Sequence, residues 1–138
     1  MSINFNNIFR ILGILFIIIG ISFLPSLVVA AYFNEKLCEK SFILTMIPCF
    51  FIGFALIKNY KPSLTKMKSR DGFLIVSLCW LFASIIGSFP LVLSGAIPNP
   101  IDAFFEICSG FSTTGSTILT DIESLPKSML FWRSFTHW

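Results

Sequence analysis

The chain has 138 residues, 55% hydrophobic and 12% charged, with a formal net charge of +3 and a mean hydropathy of +0.85. A soluble globular domain carries roughly twice that charge, so the composition predicts an all-α, polytopic membrane protein. The charge pattern argues against nucleic-acid binding, because five of the ten basic residues sit between Lys58 and Arg70, in one stretch between apolar segments.

Residues 11–33 carry no charge. At ~1.5 Å per residue they span about 34 Å, enough for one crossing. Arg10 precedes them, and Pro25 is expected to kink the helix without ending it. The run exceeds a signal-peptide core of about 7–15 residues, so a retained helix is expected. Residues 34–40 (NEKLCEK) read as a short charged loop, and Ser41–Ile57 as a second, slightly short crossing of about 26 Å. The basic loop KNYKPSLTKMKSRDG follows, and Gly72 to about Leu93 forms a third helix. Pro90, Gly95, Pro98 and Pro100 then disfavour its continuation. Arg10 and the loop 58–70 fall on one side of the membrane, Lys36 and Lys40, diluted by Glu35 and Glu39, on the other. The N-terminus and the basic loop are therefore expected in the cytoplasm, and the stretch after Leu93 outside it.

A short helical signal comes next, IDAFFEICSGF, with Asn99 or Asp102 to cap it and Pro100 suited to its first turn. The uncharged run 107–120 has 14 residues, or about 21 Å as helix, too short to span. Gly110 and Gly115 weaken a helix further. Charge returns on the same side at Asp121, Glu123 and Lys127, so the segment is expected to enter part-way and come back out. Non-helical backbone at that depth is tolerated when buried in protein or lining a water-filled path. A re-entrant helix aims its partially negative C-terminal end at the membrane centre, and carbonyls after it can replace the water around a cation. Thr113, Thr114, Gly115 and Ser116 in SGFSTTGSTIL thus read as a quarter of an ion filter. A last apolar segment, SMLFWRSFTHW, begins at Ser128.

Other residues carry weaker signals. Ser112, Ser116 and Thr117 either support the filter strand or cap locally. Asp102 and Glu106 either attract cations at an outer mouth or suit a helix's first turns. Arg133 and Lys127 are expected near the interface, with Trp132 and Trp138 in the headgroup zone and His137 as a packing residue. Ser124–Lys127 and Ser63–Lys66 match a serine–lysine spacing, but no base or ligand set accompanies them, and no enzyme is expected. Cys38, Cys49, Cys79 and Cys108 form no CxxC pair and lie away from the single histidine. They read as small hydrophobes with no zinc site.

Three stretches, SRDGFLIVSLCW (69–80), DAFFEICSGFSTTGSTIL (102–119) and LPKSMLFWRSFTHW (125–138), resemble the N-terminal part of the ion-conducting subunit of Trk-type potassium uptake systems, within the Trk/Ktr/HKT superfamily. The resemblance runs from about Ile8 to the last residue. It implies four membrane–pore–membrane repeats around one pore, with potassium held by the backbone carbonyls of Thr113 and Thr114 and the strand completed by Gly115 and Ser116. Glycine at 115 favours potassium, since some sodium-preferring plant relatives have serine there. The resemblance also implies an organisation: residues 1–60 as the N-terminal helix pair typical of the Trk branch, 61–71 as the basic cytoplasmic loop, and 72–138 as a first pore repeat cut within its inner helix. Expected partners are the remaining three repeats, a second copy of the subunit, a cytoplasmic nucleotide-binding regulatory subunit and the lipid bilayer. The transported potassium ion is the only ligand implied. The expected role is potassium uptake across the bacterial inner membrane, as a fragment that does not conduct alone. The alternative is a non-conducting accessory or assembly protein, or the product of a decaying gene.

Overall fold

The computed structural model describes residues 5–60 and 69–137. Among the described residues there are five helices and no strand: α1 (Phe5–Tyr32), α2 (Lys36–Asn59), α3 (Ser69–Leu93), α4 (Pro100–Phe111) and α5 (Lys127–Thr136). The first three are each long and apolar enough to cross a membrane. All three run through a proline, at Pro25, Pro48 and Pro90. Long apolar helices tolerate the lost hydrogen bond where neighbouring groups re-satisfy the freed carbonyl.

The helix boundaries differ from expectation at one turn. Residues 34–40 do not form a loop. The chain reverses over about three residues, with Asn34 in the left-handed region at φ +58, and α2 already begins at Lys36. Asn tolerates that conformation better than most residues, so the turn is made at one point and LCEK joins the helix. Likewise α1 starts at Phe5, ahead of Arg10, and α3 at Ser69, taking in Arg70 and Asp71. The Ser63–Lys66 pair lies outside the described residues.

α1 and α2 form an antiparallel hairpin closed along its length. Phe9 stacks on Tyr60 with ring centroids 4.9 Å apart, and Phe23 meets Phe42 at 5.9 Å. Between these pairs the two backbones touch at Gly13 and Gly53. A Cβ on Gly13 would meet the Gly53 carbonyl at 2.9 Å, and one on Gly53 would meet the Gly13 carbonyl at 2.8 Å. Small residues allow this approach, which is how apolar helices gain contact in lipid. α3 runs parallel to α1, with Ile75 beside Ile8 and Leu12, and Phe82 5.9 Å from Phe16.

α4 turns back along α3. The Phe111 ring, at the end of α4, lies 6.4 Å from Trp80, the twelfth of the 25 residues of α3. At ~1.5 Å per residue α3 is about 37 Å long, so α4 penetrates to about its midpoint. α5 then descends beside α4 in the same direction, with Arg133 opposite Glu106 and Thr136 against Gly110. Trp132 fixes α5 in the core. It is 1% exposed, its ring lies 4.6 Å from Phe23 and 6.5 Å from Phe42, and its Nε1 donates to the Gly87 carbonyl at 2.9 Å. The headgroup position expected of Trp132 is therefore incorrect: a ring this large with one polar atom is well served by a packed site holding one acceptor.

Candidate functional site

The site is assembled around both ends of α4. Asn99 is the cap used: its Oδ1 accepts from the Ile101 amide at 3.0 Å, and Pro100 follows in the first turn. Asp102 sits in that first turn, where negative charge suits the helix start. At the far end the Ser112 amide reaches the Cys108 and Gly110 carbonyls and α4 stops.

The backbone that follows is unusual. Thr113 has φ +55 and Gly115 φ +73, whereas Thr114 and Ser116 are outside that region. A β-branched residue at positive φ is a genuine outlier; such strain costs about 1–3 kcal/mol and persists where surrounding bonds hold it. Those bonds are present, as the segment climbs back along α4. The Thr113 amide donates to Gly110 at 2.9 Å and the Thr114 amide to Ser109 at 3.1 Å. Ser109 Oγ donates to the Ser116 carbonyl at 2.7 Å. The Thr117 hydroxyl and the Ile118 amide, the latter at 2.9 Å, both donate to Glu106 Oε1. Ser112 bonds locally, its hydroxyl 2.8 Å from that of Thr114. Among the described residues the carbonyls of Thr113, Thr114 and Gly115 accept no hydrogen bond, and residues 112–118 are exposed.

Glu106 is fully buried in the second turn of α4, so it is not an exposed acid at an outer mouth, and its partners are on other segments. While Oε1 holds Thr117 and Ile118, Oε2 receives Arg133 Nε at 2.9 Å. Arg133 is correspondingly not an interfacial residue: its side chain is 13% exposed and pairs with a carboxylate on a different helix. A buried carboxylate is stable only with several donors around it, and three are supplied here. Glu106 is the one charge between Asp102 and Asp121, and Arg133 the one charge between Lys127 and Trp138. A charge in such a place needs a partner; that need was readable in the sequence and was missed, while the identity of the partner is set by the packing of α5 on α4.

Glu35 was also missed. It reads as a loop charge, yet its carboxylate caps α5 across the molecule, accepting from the Lys127 amide at 2.7 Å, the Ser128 amide at 3.1 Å and the Ser128 hydroxyl. Pro126 at the start of α5 makes no side-chain cap of its own. His137 ends α5, its Nδ1 2.8 Å from the Arg133 carbonyl. The Ser124 hydroxyl donates to the Asp121 carbonyl at 2.9 Å, away from Lys127. Cys38 and Cys49 are buried, and Cys79 and Cys108 half-buried, all as free thiols.

Comparison with known proteins places this arrangement among relatives. The family described as TrkH, cation transport protein, matches residues 38–138. An uncharacterized cation transporter of Methanocaldococcus jannaschii, MJ1485, is 39% identical over 98% of this chain and 28% of its own length. The Trk system potassium uptake protein TrkG of Escherichia coli is 38% identical over 88% of this chain and 25% of its own. The crystal structure of the potassium transporter TrkH from Vibrio parahaemolyticus superposes with a TM-score of 0.87 at 34% identity, over 96% of this chain and 28% of that one. The chain thus spans about a quarter of the length of these relatives.

Proposed function

The chain belongs to the TrkH family of cation transport proteins, and from that premise we propose that it supplies one filter strand of a potassium-conducting membrane subunit. Its part is conduction, not catalysis. In this reading α3 is the outer helix, α4 the re-entrant pore helix, residues 113–116 the filter strand and α5 the start of the inner helix. The N-terminus and the basic loop face the cytoplasm of a bacterial cell. Three further repeats complete the ring, in a subunit that pairs with a second copy and with a cytoplasmic nucleotide-binding regulator.

One observation carries the reading: three consecutive unpaired carbonyls, those of Thr113, Thr114 and Gly115, on a strand where positive φ at Thr113 and Gly115 alternates with Thr114 and Ser116 outside that region. Residues that alternate between left- and right-handed conformations turn successive peptide planes the same way, so carbonyls gather on one side and amides on the other. The amides of Thr113, Thr114 and Ile118 bond back to the α4 segment, in keeping with that division. The free carbonyls then offer a partly dehydrated cation what water offered it, and the C-terminal end of α4 adds its partial negative charge. Ser116, with its carbonyl on Ser109, completes the strand and anchors it. Entry is driven by the membrane potential, about 2.3 kcal/mol per charge for each 100 mV.

The test is to graft residues 99–120 into a complete relative and measure rubidium uptake against sodium. Retained rubidium preference is expected. Uptake with lost discrimination would overturn the assignment.

A further inference from the structure

We propose that Glu35 is a positioning residue for the filter, acting at a distance through α5. The inference rests on the reading of residues 113–116 as a filter strand. Glu35 lies outside the stretch 38–138 by which the family is recognised and on the turn of a hairpin that contributes nothing directly to that strand. Its carboxylate nevertheless receives three donors at the first residues of α5, from Lys127 and Ser128. Two of them are orphan amides at a helix start that Pro126 leaves uncapped, the third the Ser128 hydroxyl, and a carboxylate also complements the helix dipole there. Glu35 thereby sets the height of α5.

The same hairpin sets the rotation of α5. Trp132 is clasped by Phe23 of α1 and Phe42 of α2 and bonded to Gly87. Adjacent helical residues differ by about 100° in azimuth, so Trp132 held on one side aims Arg133 at Glu106. The chain of contacts is then continuous: Glu35 to the start of α5, Arg133 to Glu106 at 2.9 Å, and Glu106 to Thr117 and Ile118, just beyond the unpaired carbonyls. A carbonyl ring discriminates between ions by the number and placement of its oxygens. An α5 free to shift loosens Glu106, and Glu106 releases the end of the strand.

The test compares Glu35→Ala, Glu35→Gln and Gly115→Ser in the full-length, membrane-inserted protein. Rubidium and sodium uptake are measured in cells lacking other potassium uptake, normalised to protein in the membrane. E35A is expected to lower the rubidium-to-sodium ratio by about 2- to 30-fold, the range found for substitutions that act between sites. E35Q keeps one acceptor oxygen and falls between E35A and the unaltered protein. A role confined to stability would reduce both uptakes together and leave the ratio unchanged, which overturns the proposal. If G115S changes the ratio and E35A does not, the inference fails and the filter reading stands; if neither changes it, the filter reading fails too. Should E35A fail to insert, Ser128→Ala removes one donor, and a smaller shift of the same sign is expected. An unchanged ratio in S128A then overturns the proposal.

Discussion

Arg133 Nε lies 2.9 Å from Glu106 Oε2, joining α5 to α4 across 27 residues of sequence. The same carboxylate holds Thr117 and Ile118 with its other oxygen, so one buried acid ties together a helix, its neighbour and the returning strand.

Breaking this pair from one side leaves an unpaired buried charge, which costs about 3–5 kcal/mol, whereas neutralising both partners is far milder. Arg133→Met is therefore expected to lower the thermal midpoint of the detergent-purified protein sharply. Glu106→Gln combined with R133M should recover most of the loss. A double variant no better than the single one would mean that the ion pair is not what makes R133M costly.

At Gly115 the objection to a side chain is conformational and not steric. No atom lies within 4 Å of a Cβ built there, but φ is +73. Left-handed backbone costs a non-glycine residue about 1–2 kcal/mol. Gly115→Ala is expected to leave the amount of protein in the membrane near normal and to reduce rubidium selectivity over sodium, read by competition uptake.

The hairpin crossing gives the opposite case. Gly53→Leu forces a side chain against the Gly13 carbonyl and Ile17, both 2.8 Å from its Cβ, and overpacking of this kind costs about 1–3 kcal/mol or more. Reduced thermal stability of the purified protein is expected. Gly72→Ala is the control: its Cβ meets nothing within 4 Å, and the gain in helix propensity is up to about 1 kcal/mol.

Trp132→Phe keeps most of the ring packing against Phe23 and removes the bond to the Gly87 carbonyl. A loss of about 0.5–1.5 kcal/mol is expected. Trp132→Ala empties a fully packed site and should cost about 3–5 kcal/mol. Tryptophan fluorescence during thermal unfolding of the other tryptophans reads both.

Much of the architecture was legible in the chain. The three long helices appear as uncharged runs because the hydrocarbon core excludes charge from the middle of a spanning helix, while charges are carried near the helix ends. The short α4 was legible because Asn99-Pro100 announces its start and the glycine- and hydroxyl-rich stretch from Ser109 ends it. Boundaries were less so: LCEK was assigned to a loop for its charge, yet it is helical because a single left-handed residue, Asn34, completes the turn. Glu106, Arg133, Trp132 and Glu35 were misjudged for a common reason. Each was read by its local setting, as an outer-mouth or helix-start acid, an interfacial base, a headgroup ring and a loop charge, while each takes its role from a partner at least 27 residues away.

Local rules of solvation and backbone freedom act within one segment, so the sequence by itself determined which stretches are helical, which are apolar enough to cross, and where a glycine- and hydroxyl-rich turn interrupts them. Only the tertiary structure decided which carboxylate caps α5, which base neutralises Glu106 and which carbonyls after α4 are left unpaired. Those outcomes depend on distances between helices, and the energy of a buried charge or an orphan amide is settled by whichever group packing brings within about 3 Å.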